Sequence, residues 1–213
     1  MAIDWGTLLV GQLEFYWTAH LRPRLAGLTD DEYRWEPVPG CWTVRRAADG
    51  RYLLDGARPE PEPPPVTTIA WRMVHLATAM STRTSAFFGG GPGPADAGMF
   101  DPRHLPADLP ATAAGAVELV EDSYRRWHQG IAALDPAGLA KPLGRKGGGY
   151  AAEPMAALVV HVNREVMHHG GEICLLRDLY RAGWTGTASS PARAAGRAST
   201  GGDASAGGEL GTR

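Results

Sequence analysis

Four long stretches with helical spacing of apolar residues constrain the fold of this 213-residue chain more than any other feature. Apolar residues that recur every three or four positions are typical of helices with one buried side. The spacing predicts helices at about residues 5–26, 67–88, 111–134 and 153–182. Pro23 is expected to kink or end the first of them. Four such helices predict an all-α fold, a four-helix bundle.

The connection between the first two helices, residues 36–65, is long and contains a second kind of pattern. Two short segments, Cys41–Arg45 and Arg51–Leu54, flank the dipeptide Asp49-Gly50, which favours a hairpin turn. The sequence therefore predicts a short β-hairpin after the first helix. A connection of this length also lets the first two helices pack other than as simple neighbours.

Two further connections, residues 89–109 and 135–151, are rich in glycine and proline and are predicted to be loops. Residues 185–213 consist mostly of Gly, Ala, Ser and Thr, with almost no large apolar side chain. Such a segment cannot bury enough apolar surface to fold. We therefore expect a helical domain over residues 1–184 and a disordered tail over residues 185–213.

Charge and composition exclude several classes of function. The chain carries 21 Lys+Arg against 23 Asp+Glu, a formal net charge of -2, which predicts no nucleic-acid partner and no membrane partner. The N-terminus lacks the pattern of a signal peptide, and no apolar run has the length of a membrane span. Cys41 and Cys174 lack redox or metal spacing. These features favour a cytoplasmic protein without a disulfide.

The fourth predicted helix carries unusual chemistry in the stretch HVNREVMHHGGEICLLRDLY, residues 161–180. At about 100° per residue, its ionisable side chains share an arc of about 120° with several leucines. That shared face is expected to point into the bundle. The ionisable residues on it are His161, Glu165, His168, His169 and Glu172, and the leucines are Leu158, Leu175, Leu176 and Leu179.

Burying several ionisable groups is costly unless they pair with one another or bind a cation. Residues four apart on a helix project side by side, so each such pair can reach one metal ion. Three pairs have this spacing, and spacing alone does not choose among them: His161 with Glu165, Glu165 with His169, and His168 with Glu172. A closed network of hydrogen bonds and ion pairs satisfies the same cost.

The best candidate for a further metal ligand is His75, in the middle of the second predicted helix. The neighbouring Trp71 and the alanines around it indicate that His75 faces the interior. His20, His104 and His128 stand among loop, charged or polar residues, and we expect them at the surface.

These residues carry a resemblance to a known family. Trp71-Arg72-Met73-Val74-His75 and Glu165-Val166-Met167-His168-His169-Gly170-Gly171-Glu172-Ile173 resemble the two motifs of the DinB-like superfamily, also called DinB/YfiT-like. Glutamate as the first ligand of the second motif is similar to the mycothiol-dependent maleylpyruvate isomerases within it. The resemblance implies a four-helix bundle that holds a divalent metal, zinc or nickel, by His75, Glu165 and His169.

The resemblance also implies roles for neighbouring residues. His161, His168 and Glu172 become residues that orient the ligands or line the pocket, with plain polar packing as the alternative. Trp71 and Trp42 are expected at the pocket. Arg45, Arg46 and Arg72 are candidates to hold a carboxylate or a sugar, although a surface position is expected for each.

The activity implied by the resemblance depends on an open position at the metal. It is a thiol-dependent S-transfer or isomerisation, with a low-molecular-weight thiol such as mycothiol or bacillithiol and a small-molecule substrate. The resemblance also implies a homodimer. The isomerases carry an additional C-terminal domain, where this chain has the predicted tail. A metal-dependent hydrolase with the same ligands and a non-catalytic binding bundle are the alternative functions.

Overall fold

Four long helical segments form where the sequence predicts them, and the all-α prediction is confirmed. The computed structural model describes residues 3–91 and 93–185, so the predicted tail lies outside the described residues from residue 186 onward. In chain order the elements are α1 (Trp5–Tyr16), α2 (Arg22–Leu25), α3 (Asp30–Arg34), β1 (Val44–Arg46), β2 (Tyr52–Leu54), α4 (Ile69–Phe87), α5 (Ala113–Ala132), α6 (Pro136–Ala140) and α7 (Met155–Arg181).

The first predicted helix is continuous from α1 to α2 but changes its winding between them. Residues Trp17–Leu21 form a π-helical turn, in which the backbone N–H of Arg22 donates to the carbonyl of Trp17. Pro23, which has no N–H to donate, follows directly in α2. The helix therefore continues through Pro23, and a wider π-helical turn immediately before the proline replaces the predicted kink or end.

The predicted hairpin is present and shorter than expected. Strands β1 and β2 pair antiparallel, with Val44 opposite Leu54 and Arg46 opposite Tyr52. Gly50 takes a φ of +88° in the turn, a backbone conformation that side chains rarely allow. The hairpin extends the first connection beside the N-terminus of α4, because the backbone N–H of Thr68 donates to the carbonyl of Trp42.

Among the long helices, the consecutive α4 and α5 pack side by side, whereas α1 and α4, which are also consecutive, do not pack closely. α4 packs against α5 and α7, and α1 also packs against α5 and α7. α1 and α4 therefore lie diagonally across the bundle, as the long first connection permits. Large buried side chains from all four helices fill the interior, among them Leu13, Trp17, Leu21, Met73, Leu76, Met80, Val120, Trp127, Ile131, Val162, Val166 and Ile173.

One buried ion pair, which we call the Glu32 cluster (Glu32, Arg177 and Arg181), joins α3 to the end of α7. Glu32 is 3% exposed and Arg177 is 1% exposed. The carboxylate accepts from Arg177 Nε at 3.2 Å, from Arg177 Nη2 at 3.1 Å and from Arg181 Nε at 2.9 Å. The backbone N–H of Thr29 donates to it at 2.9 Å in a capping box, which begins α3. The sequence analysis missed both α3 and this cluster.

The two predicted loops contain short helical pieces that the sequence analysis also missed. Residues Pro102–His104 and Gly144–Tyr150 form 3-10 turns, and α6 lies in the second loop. The prediction that His104 lies at the surface is wrong. The 3-10 turn carries its ring under the loop, where it is 1% exposed and its Nε2 lies 3.0 Å from the carbonyl of Gly98.

Cys41 and Cys174 are both free thiols, and Cys41 is buried with its Sγ 3.0 Å from the carbonyl of Val38. Among the described residues, no helix is both long enough and apolar enough to cross a membrane.

Candidate metal centre

The side chains with the strongest metal-binding chemistry meet where α4 and α7 pack antiparallel. His75 of α4 lies opposite Glu165 and His169 of α7. Oε2 of Glu165 is 3.4 Å from Nε2 of His75 and 3.2 Å from Nε2 of His169. One ligand atom from each of the three residues lies within 4.8 Å of the others. We call this set the His75 cluster.

Aromatic side chains fix the position of His75 from the side of the hairpin connection. The α4 helix begins after Thr68, whose hydroxyl accepts from the backbone N–H of Trp71 at 3.2 Å. The indole of Trp71 stacks on the His75 ring, with centroids 4.9 Å apart, and its Nε1 donates to the carbonyl of Asp55 at 2.9 Å. Trp42 stacks on Trp71 with centroids 6.1 Å apart. Both tryptophans therefore lie where a pocket wall is predicted.

Glu172 and Arg72 fix the orientation of His169 on the Nδ1 side of its ring. Nδ1 of His169 lies 2.6 Å from Oε2 of Glu172, and Nε of Arg72 lies 3.1 Å from the same oxygen. Nη1 of Arg72 also lies 3.0 Å from this Nδ1. A guanidinium has only donors, and a carboxylate only acceptors. The very short contact with Glu172 therefore assigns the proton to Nδ1, with Arg72 held by the carboxylate instead. In the neutral imidazole that a metal ligand requires, Nε2 of His169 then faces the cluster as a lone pair.

In this arrangement two hydrogen-bond acceptors face each other. The lone pair of His169 Nε2 and the carboxylate of Glu165 are both acceptors, and they lie 3.2 Å apart. Two acceptors at that distance repel unless a proton or a cation lies between them. Ligand atoms around a tetrahedral metal, at bond lengths of about 2.0–2.1 Å, lie about 3.3 Å apart. The two measured separations fit that geometry, so the residues present fit a divalent metal.

Electrostatics favour the protonation states of His75 and Glu165 that a metal requires. Burial lowers the pKa of His75, and the charge of His169 lowers it further, while Glu165 opposes both. Burial by itself would raise the pKa of Glu165, but the hydrogen bond from His75 and the neighbouring histidine charges lower it overall. A neutral imidazole and an ionised carboxylate are the ligand forms.

The predicted face of α7 is only partly correct. The buried side of α7 is centred on Val159, Val162, Val166 and Ile173, about 110° from the predicted centre. His169 is buried, but the side chain of His161 is 38% exposed and that of His168 is 65% exposed. The prediction that Leu175 faces the interior is wrong, because 58% of that residue is exposed. The ionisable residues border the core where α4 meets α7.

A second group of ligand atoms, from His168, His169 and Glu172, also lies close together. Nε2 of His168 is 3.4 Å from Oε1 of Glu172. The guanidinium of Arg72 already neutralises Glu172, and a second cation beside it would be repelled. The His75 cluster is therefore the better metal site.

The predicted surface arginines divide into two kinds. Arg45 and Arg46 are exposed, and Arg45 pairs with Glu36 and Asp55. The surface prediction for Arg72 is wrong, because its side chain is only 19% exposed and contacts the ligand-bearing helix. Its position three residues before His75, on the same side of α4, was the available signal.

Comparison with known proteins agrees with this geometry. The family model described as the DinB superfamily matches residues 12–173. The chain belongs to the DinB superfamily. The match extends from α1 through most of α7 and includes the whole His75 cluster. A search of curated proteins gave no significant match, and a search of solved structures gave none. Membership of the DinB superfamily and the His75 cluster both fit a metal-binding protein.

Proposed function

We propose that this DinB superfamily protein is a divalent-metal-dependent enzyme that transfers a low-molecular-weight thiol of the mycothiol type to a small molecule. Zinc or nickel is the proposed metal, since two imidazoles and one carboxylate suit either ion. His75, Glu165 and His169 are the proposed ligands. The cytoplasm is the proposed compartment, and a homodimer the proposed assembly.

One observation carries the proposal: the ligands of the His75 cluster are only partly buried. Its side chains are 33%, 22% and 10% exposed for His75, Glu165 and His169. Structural zinc sites are closed by four protein ligands, whereas catalytic sites keep three and leave a position for water or substrate. Three partly accessible ligands support the catalytic kind.

The protein residues supply position and orientation. Glu172 and Arg72 hold His169 with Nε2 towards the cluster, and the stacked Trp71 holds His75. A bound divalent cation would supply Lewis acidity, which lowers the pKa of a bound thiol towards neutrality. In the proposed transfer the sulfur forms a bond to the electrophilic carbon, the leaving group departs with its electron pair, and the thiol proton passes to water.

The visible spectrum of the cobalt-loaded protein tests the thiol part of this proposal. N-acetylcysteine methyl ester, a neutral thiol, should shift the spectrum by adding a sulfur-to-cobalt absorption. The S-methylated form of the same compound is the matched control and should leave the spectrum unchanged. Glu165→Gln is the control for loading, and its spectrum should remain that of free cobalt.

An unchanged spectrum in loaded protein would contradict the thiol proposal. Hydrolysis of an ester or amide by that same protein would then identify the hydrolase with the same ligands. If neither change occurs, the His75 cluster acts as a binding site without either chemistry.

A further inference from the structure

Arg83 is a half-buried charged side chain, and no carboxylate of the described residues lies within salt-bridge distance of it. Its Nη1 donates to Oγ1 of the adjacent Thr82 at 2.9 Å, and its Cζ lies 5.3 Å from the ring centroid of Phe100. Its Nε is buried and has no hydrogen-bond partner among residues 3–91 and 93–185. Within the same residues it forms no salt bridge. A guanidinium stays protonated, so this half-buried charge has no salt-bridge partner of its own in that part of the chain.

Arg83 lies on the same side of α4 as Arg72 and at the other end of the His75 cluster. The two arginines are separated by eleven positions, which is about three helical turns. Because α7 runs antiparallel, Arg72 meets Glu172, and Arg83 comes near Glu165 and His161. The cluster therefore has one arginine at each end.

The electrostatic surroundings agree with a position of Arg83 near the cluster. Burial lowers the pKa of Arg83, and the charge of Glu165 opposes that effect. Burial likewise lowers the pKa of His161; Glu165 opposes it, and Arg83 adds to it. Arg72 has the same burial effect on its pKa but lies 3.1 Å from its own carboxylate, Glu172. Arg83 has no such partner in the described chain.

The outer side of Arg83 is formed by aromatic residues that the core does not need. Phe100 covers the guanidinium, and Tyr150 lies beside Phe100 with ring centroids 6.3 Å apart. Both aromatic residues are 58% exposed. Two exposed aromatic rings next to an unpaired cation are suited to an organic anion, because the rings contact its carbon part.

We propose that Arg83 binds a carboxylate of the small molecule on which the metal site acts. A guanidinium matches a carboxylate with two parallel hydrogen bonds, and no carboxylate of the described residues takes that place at Arg83, whose Nε is unpartnered. The inference rests on the proposed function and narrows its substrate class to molecules that carry a carboxylate near the reacting carbon. Arg83 is a specificity residue, and the ligands of the His75 cluster do the chemistry.

Two thiols that differ in charge test this inference on cobalt-loaded protein. 3-Mercaptopropionate should bind about tenfold more tightly than its methyl ester, as followed by the cobalt spectrum. In Arg83→Met the preference should disappear, with metal content and binding of the ester unchanged. Arg83→Lys, which keeps the charge but loses the fork, should retain part of the preference. Arg125→Met, which removes an exposed arginine of α5, is the matched control and should behave as wild type.

The thermal midpoint separates a binding role from a structural one. Because Arg83 is unpaired, Arg83→Met should unfold at the same temperature as wild type or higher. A midpoint lower by several degrees in both Arg83 variants, or an unchanged preference for the charged thiol, would overturn the inference.

Propionate distinguishes a failure of this inference from a failure of the proposed function. If neither thiol shifts the cobalt spectrum, the thiol proposal fails by itself. Propionate should still raise the thermal midpoint of wild type and not that of Arg83→Met. Propionate should bind together with 2-mercaptoethanol, as the carboxylate of a second substrate would, and competition between them would contradict that assignment. An equal effect of propionate on wild type and variant would contradict the role of Arg83.

Discussion

The Glu32 cluster and the His75 cluster are both polar groups at α7, and they differ in how completely they are satisfied. In the first, one carboxylate accepts four hydrogen bonds, and Arg177 also donates to the carbonyls of Arg24 and Ala26. In the second, a carboxylate and an imidazole lone pair face each other at 3.2 Å. Burial of charge alone therefore does not identify a ligand site. A set of hydrogen-bond acceptors with too few donors does.

Breaking the Glu32 cluster is expected to have the largest effect on stability. Arg177→Met leaves Glu32 buried with much of its charge uncompensated, which should lower the free energy of unfolding by about 3–5 kcal/mol. Urea denaturation measures this loss. Arg181→Met is the control, because its side chain is 52% exposed, and it should cost about 1 kcal/mol or less. A small loss in both variants would mean that the cluster does not stabilise the fold.

Acid should weaken the Glu32 cluster in a defined range. Burial by itself would raise the pKa of Glu32, but hydrogen bonds from Arg177, Thr29 and Arg181 lower it from 4.5 to about 2. The stabilisation is therefore complete above the unfolded value and is lost as the pH falls towards 2. As the pH falls from about 6 to about 3, the titration of Glu32 should lower the free energy of unfolding by about 2 kcal/mol. Glu32→Gln should show a flatter profile in that range; equal slopes would contradict the assignment.

Removing the carboxylate that orients His169 should have a smaller effect, which is confined to metal affinity. Glu172→Gln removes the carboxylate that holds Nδ1 of His169, and zinc affinity should fall at least about tenfold, equivalent to about 1.4 kcal/mol. Competition with a chelating indicator measures the affinity. His168→Gln is the matched control on the exposed side, with an expected change of less than about threefold. Equal losses in the two variants would place the metal in the outer group instead.

The sequence predicts the long helices well, because their apolar spacing is a local property. The bounds of α4 and α5 differ from the predicted ones by one or two residues at each end. Capping threonines, Thr68 and Thr112, define where these helices begin. The hairpin also follows from local turn chemistry at Gly50.

Tertiary contacts explain what the sequence analysis did not predict. Glu32 and Arg177 are 145 positions apart, and no local pattern pairs them. Of the α7 leucines that suggested a buried face, Leu158 and Leu176 are buried and Leu175 is exposed, because α1 and α4 determine which side is covered. The grouping of His75 with Glu165 and His169 came from the family resemblance, since spacing left three pairs open. The unpaired state of Arg83 is likewise visible only in the folded chain.

The central claim is that the His75 cluster binds a divalent metal, and the metal content of the purified protein tests it most directly. Elemental mass spectrometry should find about one equivalent of metal per wild-type chain. The double variant Glu165→Ala/His169→Ala should hold none, and Arg177→Met, if folded, should keep the metal. The absence of metal from wild type, even after incubation with zinc or nickel, would contradict the account.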